Sequence, residues 1–253
     1  MLRLFRRKLR RADRIDITPP HPAPDRKGLA IVVIAKNEAE HILDWLSFHA
    51  LAGVSEIILY DNMSTDAMAQ IARSFTGCPV TVIPWQITAQ TARTPMMLPR
   101  QSLAYVHAIC TFGGKFSRMA FIDVDEFLVP QECDTIEAAL ATLNDAPNIS
   151  LPWVMFGHNG HETPPREAMP FAYTQRAPKT IGPLLRWKCI VDPCEVTQVS
   201  PHKFHTRDHG SRTMNTEGKT TSNKFRNEAF VTFKHLTVNH YYLRSKAETE
   251  AKI

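Results

Sequence analysis

The sequence predicts an α/β fold with a mostly parallel sheet flanked by helices, on three observations. Residues 29–35 form an unbroken apolar run rich in β-branched side chains, the pattern of a strand covered on both faces. Strand-like and helix-like segments alternate at short range over the first 130 residues, as crossover connections between parallel strands require. Polar clusters follow three of the strand-like runs: Lys36-Asn37-Glu38, Asp61-Asn62 and Asp123-Val124-Asp125-Glu126. In such a sheet, ligands gather where strands end and helices begin.

The elements follow in order. A Pro-rich stretch at residues 18–24 is too poor in donors and too rigid for a sheet, so the folded body is expected to begin near Lys27. After the first strand, residues 38–52 place Ile42, Trp45, Leu46 and His49 at helical spacing, and Gly53 ends the helix. Residues 56–60 give a second strand. The polar turn at 61–66 then offers Ser64, Thr65 or Asp66 as a cap for a helix over 67–75, and residues 80–83 give a third strand. A helix over 100–112 stops at Gly113-Gly114, and residues 118–122 run as a strand into the acidic cluster. A further helix is expected over 135–143. Residues 150–235 hold many Pro, Gly and His with only short strand-like pieces, and this half is expected to be loop-rich, wrapping one edge of the sheet and shaping a cleft. The organisation is thus a basic tail and linker at 1–26 and one folded domain at 27–253, with a nucleotide-binding part up to residue 130 and an acceptor-side part beyond it.

Charge and composition narrow the function. The 253 residues are 43% hydrophobic and 22% charged, which excludes a disordered or fibrous chain, and no apolar run approaches the ~18 residues needed to span a bilayer. The net charge of +5 sits in the tail: residues 1–14 hold seven cations and one anion, leaving 23 basic and 24 acidic residues for the body. A nearly neutral body argues against nucleic acid as partner. The tail interleaves Leu2, Leu4, Phe5 and Leu9 with its arginines, as does a solvated extension or a short helix lying on an anionic membrane. It lacks the apolar core of a secretory signal, so the expected location is the cytoplasm, with peripheral membrane contact through residues 1–14 open. Five scattered cysteines suit a reducing compartment. Cys189, Cys194, His202, His205 and His209 offer zinc-ligand chemistry, but the spacing of the two cysteines is loose, and they read as buried thiols and surface imidazoles.

The acidic cluster carries the chemistry. Side chains alternate along a strand, so Asp123 and Asp125 at a strand end would face the same way and hold a hard divalent cation, Mg²⁺ or Mn²⁺, with positions open for phosphate oxygens. The cluster lies between Phe121-Ile122 and Phe127-Leu128-Val129, where three carboxylates in four positions would repel one another without a cation or a basic partner.

The ordered set of residues 34–38, Trp45-Leu-Ser-Phe-His49, Gly53-Val54, Tyr60-Asp-Asn62, Ser64-Thr-Asp66 and residues 121–128 resembles glycosyltransferases of the GT-A fold. The nearest likeness is a bacterial family 2-like group related to glycosyltransferase family 92. It continues through Trp153-Val-Met-Phe-Gly157, Gly160-His161, Lys188-Cys-Ile-Val191, Pro193, His202 and residues 239–246, covering about residues 29–252. The chain stops inside a segment that continues in similar proteins after Lys246, which raises the expectation of a truncated carboxyl end.

The resemblance implies transfer of a sugar from a nucleotide-sugar donor, a UDP-sugar first among them, to a hydroxyl of a glycan or lipid-linked acceptor in cell-envelope or polysaccharide synthesis. It implies that the Asn37-Glu38 and Asp61-Asn62 loops hold the donor's base and ribose, and that Asp123 and Asp125 bridge a cation, Mn²⁺ or Mg²⁺, to the diphosphate. Lys36 beside the first loop is a further donor-binding candidate, and Arg100, on the helix preceding Asp123, is placed to assist at the diphosphate. His202 would be a third metal contact, with His240 as competitor. Developing negative charge on the leaving diphosphate is what such a cation compensates. For the base that accepts the acceptor's proton, Asp192 and Glu195 are the first choices, and His161 and Glu162 the reserve. Trp153 and Phe156-Gly157 offer either a stacking platform for a sugar or core. Two other classes are weighed: a non-catalytic nucleotide or glycan-binding module, and phosphoryl transfer of the dehalogenase type, which usually carries Asp-x-Asp on its first strand.

Overall fold

The computed structural model describes residues 10–93, 96–143, 145–178 and 185–252. Strands β1 (Leu29–Ala35), β2 (Glu56–Asp61), β3 (Val80–Pro84) and β4 (Arg118–Phe121) lie in the order β3-β2-β1-β4, all parallel. The strands β5 (Glu126–Pro130), β6 (Asn148–Met155), β7 (Trp187–Val191), β8 (Val196–Ser200), β9 (Lys203–Thr206) and β10 (Leu236–His240) complete the main framework. Beyond β4, β7 and then β6 continue the sheet antiparallel. The same β6 pairs parallel with Met214 at Ile149 and with β10 at Trp153–Met155, and β10 carries β5 antiparallel, so the sheet curls over. Pro152, which has no N–H to offer, falls between those two pairings. The carboxyl-terminal half therefore holds more strand than its Pro, Gly and His content announces.

Helices α1 (Ile42–Leu51) and α2 (Met68–Ser74) cover one face and α3 (Arg100–Phe112) covers the other, while α4 (Ile136–Leu140) and α5 (Lys246–Lys252) lie further along the chain. Alternate residues of one strand serve the two faces. Ile31, Val33, Ile57 and Leu59 pack with Ile42, Trp45, Leu46 and Met68, whereas Ala30, Val32, Ile58 and Tyr60 pack with Ala104, Tyr105 and Ile109 and with Val196, Val199 and Phe204 from the β8–β9 hairpin. Two apolar faces explain why β1 shows no polar alternation. Among the described residues, no helix is long and apolar enough to cross a membrane.

The amino-terminal segment departs from expectation. Arg10–Arg11 pairs parallel with Met96-Met97, and Ile15–Asp16 adds antiparallel to β8. The Pro-rich stretch stays outside any ladder, as its missing donors dictate, yet it is strapped to the body: Ala23 N–H donates to Gly114 O at 2.9 Å, and Arg26 makes a two-pronged ion pair with Asp192 at 2.6 and 2.8 Å. The strap needs glycine beneath it. A Cβ on Gly114 would come within 2.7 Å of His21 O, and one on Gly113 within 2.8 Å of Pro193. The folded body thus begins by residue 10 and not near Lys27. Leu2, Leu4, Phe5 and Leu9 lie outside the described residues.

His49 shows how α1 is tied to the strand beyond the acidic turn. It is fully buried; Nδ1–H donates to Trp45 O at 2.9 Å and Nε2 accepts from Leu128 N–H at 3.2 Å, which fixes the neutral tautomer. Burial pushes its pKa down to about 3. Between that value and the ordinary 6.5 the unfolded chain binds the proton and the native one does not, so this stability is present above pH 6.5 and is lost as pH falls. Urea unfolding of the wild type from pH 7 to 5 should show a declining midpoint, and His49→Gln, unable to titrate, should show a shallower decline.

Candidate active site

Because β1, β2 and β4 are parallel, Lys36-Asn37-Glu38, Asn62 and Asp123 all emerge at one edge of the sheet. The loops there brace each other. Asn37, at φ 56°, receives Thr65 N–H on Oδ1 at 2.8 Å and donates its own N–H to Ser64 Oγ at 3.0 Å. Asp61 Oδ1 accepts from Ser64 N–H at 3.0 Å, and Asp66 Oδ2 accepts from Ala39 N–H at 2.9 Å. Asn37 and Asp61, expected at the donor, thus serve to hold the two loops together, and neither lines the adjoining clefts.

Two clefts meet at this edge. The larger, about 860 Å³, is lined by Lys36, Asn62, Thr88, Arg100, Gln101 and Asp123 and by Arg11, Ala12, Asp13 and Pro201 among others. The smaller, about 350 Å³, is lined by Glu38, Asp123, Asp125, Trp153, His202, His240 and Tyr242 among others, and Asp123 borders both. Arg100 shapes the wall of the larger cleft, its guanidinium donating to Ile87 O at 3.0 Å and to Asn62 Oδ1 and Thr88 Oγ1 at 3.3 Å.

Asp123 and Asp125 occupy a turn and not a strand end, and Glu126 opens β5. β4 stops at Phe121, and Glu126 N–H donates to Asp123 O at 3.0 Å. Period-two alternation therefore does not apply, and the carboxylates diverge. Asp123 accepts from Lys188 Nζ at 2.7 Å and from Gln101 Nε2 at 3.1 Å. Asp125 lies 3.5 Å from His240 Nε2 and 3.9 Å from Arg244 Nη2. Glu126 is wholly buried, meeting Lys188 Nζ at 3.0 Å and accepting Asp123 N–H at 2.8 Å, while Trp45 Nε1–H of α1 donates to its carbonyl at 2.8 Å. The basic partners that three adjacent carboxylates demand are Lys188 and Arg244.

Lys188 is the residue that sequence reading missed. It is 1% exposed on the apolar strand β7, and the signal for it was a single lysine inside Trp187-Lys-Cys-Ile-Val191. Desolvation works against its charge, but the facing carboxylates of Asp123 and Glu126 hold it protonated, well above the ordinary lysine value. Burial lifts Glu126 to about 7 against the pull of that ammonium. Arg244, 5% exposed at φ 48°, also ties the site to the chain's end through Glu38 at 2.8 Å.

His202 sits in the smaller cleft, where Nδ1–H donates to Trp187 O at 3.1 Å. Burial and the nearby Lys188 ammonium push its pKa down, so the ring is neutral and Nε2 keeps its lone pair, the state a metal ligand needs. Trp153 packs against both imidazoles, with ring centroids 5.7 Å from His202 and 4.2 Å from His240. His240 Nδ1 and Trp153 Nε1 are buried polar atoms without a hydrogen-bond partner among the described residues.

Several expected residues do not come together. Among the described residues, the one set of three or more His, Cys, Asp or Glu whose ligand atoms all lie within 4.8 Å is Glu40, His41 and Glu248, not Asp123, Asp125 and His202. That set reads as an ion-pair knot fastening α5, since Glu248 is engaged by His41 at 2.6 Å and Ser245 Oγ at 2.6 Å, with Arg244 at 3.7 Å. Asp192 and Glu195, the first-choice bases, line a different cavity of about 590 Å³ with Gly28 and Leu29, at the amino end of β1. Asp192 is bound there to Arg26. Of the reserve pair, His161 donates from Nε2 to Ala172 O at 3.1 Å and Glu162 pairs with Lys246, and neither lines the clefts. Cys189 and Cys194 are free, buried thiols.

Asp125 and His202 line the same small cleft, and their donor atoms are of the kinds a divalent cation accepts. Asp125 and a neutral imidazole supply one oxygen and one nitrogen, and diphosphate oxygens and water would fill the other positions.

Comparison with known proteins adds to this geometry. A glycosyltransferase family 92 protein of Oryza sativa subsp. japonica is 23% identical over 236 residues, which is 86% of this chain and 38% of that protein. One of Ricinus communis is 25% identical over 232 residues, 84% of this chain and 39% of that protein. The chain thus spans about two fifths of the length of these relatives. Among solved structures, a 4-diphosphocytidyl-2C-methyl-D-erythritol synthase of Anaerococcus prevotii matches with TM-score 0.36 at 11% identity, over 66% of this chain and 72% of that one. HddC of Yersinia pseudotuberculosis matches with TM-score 0.39 at 12% identity, over 65% and 76%. The model of glycosyltransferase family 92 matches residues 30–249, from β1 into α5, and on that match the chain belongs to glycosyltransferase family 92.

Proposed function

We propose that this chain transfers a glycosyl group from a nucleoside-diphosphate sugar, a UDP-sugar first among them, to an acceptor hydroxyl of a glycan or lipid-linked sugar, with Mn²⁺ or Mg²⁺. The observation that carries the reading is the convergence of Lys36, Asn62, Arg100 and Asp123 on one cleft that opens, across Asp123, into a second cleft holding Asp125, His202 and His240. A cleft of about 860 Å³ is ample for a nucleoside diphosphate. The smaller cleft suits the acceptor: Trp153 and the half-exposed Tyr242 offer faces for a sugar ring, and Glu38 and His240 are groups able to accept the hydroxyl proton. Asp125 with His202 would hold the cation, which when bound supplies positive charge to the departing diphosphate. Gln101 and Lys188 keep Asp123 in place between the two clefts.

The test is thermal unfolding of the full chain with a panel of nucleoside diphosphates and UDP-sugars, with and without Mn²⁺, followed by assay of donor hydrolysis. With ligand at about 100 times Kd, stabilisation of about 2.7 kcal/mol should raise the melting temperature by roughly 5–10 °C. A shift that requires the cation, together with hydrolysis, supports the proposal. Failure of every nucleotide to bind overturns it, and binding without turnover of any donor replaces it with a binding module.

A further inference from the structure

We propose that residues 10–16 form a fixed wall of the donor cleft and that Arg11 contacts the diphosphate of the bound nucleotide; this rests on the donor-cleft reading above. The segment is pinned on both sides of Arg11 and beyond. Arg10 and Arg11 pair with Met96 and Met97, Ala12 N–H donates to Met97 O at 2.9 Å, Ala12 is 8% exposed, and Ile15–Asp16 continues the β8 ladder with Gln198 and Val199. Between these anchors Arg11, Ala12 and Asp13 line the larger cleft together with Lys36, Asn62 and Arg100.

The charges along this cleft favour an anionic ligand. Asp123 is neutralised by Lys188, and Arg100 spends its donors on Ile87, Asn62 and Thr88. That leaves Arg11 and Lys36 as cations that no ion pair or side-chain hydrogen bond engages among the described residues, against the single carboxylate of Asp13. A guanidinium fork matches two phosphate oxygens, which a lysine ammonium does only as a point charge. The basic tail, set apart from the body by its composition, thereby supplies one wall of the site.

Calorimetric titration of the full chain with UDP and with uridine, both with Mn²⁺, separates phosphate recognition from base recognition. Arg11→Ala should weaken UDP about tenfold and leave uridine within about twofold of wild type. Arg11→Lys, which keeps the charge and loses the fork, should recover only part of the UDP affinity, and Arg207→Ala, which removes a 57%-exposed cation beside Glu195 at the opposite end of the sheet, should change neither. Arg11 is exposed, so these substitutions leave the core intact. UDP affinity in Arg11→Ala within about twofold of wild type overturns the inference. Equal weakening of UDP and uridine overturns it too, because the residue then only props the strand. If the wild type binds no nucleoside diphosphate, the donor-cleft reading itself falls, and the inference with it.

Discussion

Asp125→Asn is expected to lower cation-dependent sugar transfer about 100-fold or more while moving the melting temperature by only a few degrees. The amide keeps the shape of the carboxylate and removes its charge and one of its two acceptor oxygens. The fold tolerates the change because the turn rests on main-chain bonds: Tyr241 N–H donates to Asp125 O at 2.8 Å, and Glu126 N–H closes back on Asp123 O. Arg244, which loses one facing carboxylate, retains Glu38 at 2.8 Å. Initial rates across a Mn²⁺ titration provide the check. A variant that is slow at low cation and recovers at high cation places Asp125 on the metal, and one that keeps wild-type rates throughout removes it from the site.

Lys188→Met is expected to cost about 3–5 kcal/mol of stability, since it strands two carboxyls that one buried ammonium serves. The loss should depend on pH. Glu126 has its folded pKa raised to about 7, above an ordinary 4.5, so its protonated form is stabilising; that stability is fully present below about 4.5 and is lost as pH rises through about 7. Without the ammonium the folded value climbs further, and the variant should be least stable at pH 8. Denaturant unfolding at pH 6 and 8 measures this. Lys188→Met with Glu126→Gln should regain stability at pH 8 without regaining turnover, because Asp123 would keep only Gln101 and still lack its charged partner. A Lys188→Met chain as stable as wild type at pH 8 would mean that the ammonium does not sustain Glu126.

Much of the sheet was legible because its strands are covered on both faces. Such strands must be continuous and apolar, as residues 29–35 are, and the helix over Arg100–Phe112 ends at the glycine pair that marks its stop in the sequence. The curled half was harder to read. Met155, at the end of β6, pairs with His240, 85 positions away, and that choice of neighbour depends on where β5 and β10 lie and not on local pattern. The amino-terminal segment was misread for a related reason: Pro-rich composition correctly excluded a ladder at residues 18–24, but it says nothing about a strap lying over Gly113 and Gly114.

The candidate site divides in the same way. The sequence by itself determined the α/β frame, the three loops at one end of the sheet, and a likeness to the family whose model matches residues 30–249. These follow from periodicity and ordered motifs, which are local properties. Only the tertiary structure decided which polar residues share a cleft. It turned Asp123 toward Lys188 and Asp125 toward His240, moved Asp192 and Glu195 to the amino end of β1, and gave Asn37 and Asp61 to the bracing of loops. The physical reason is that a buried charge must find its partner in space, and for Asp123 that partner lies 65 residues further along the chain, on a strand running the other way.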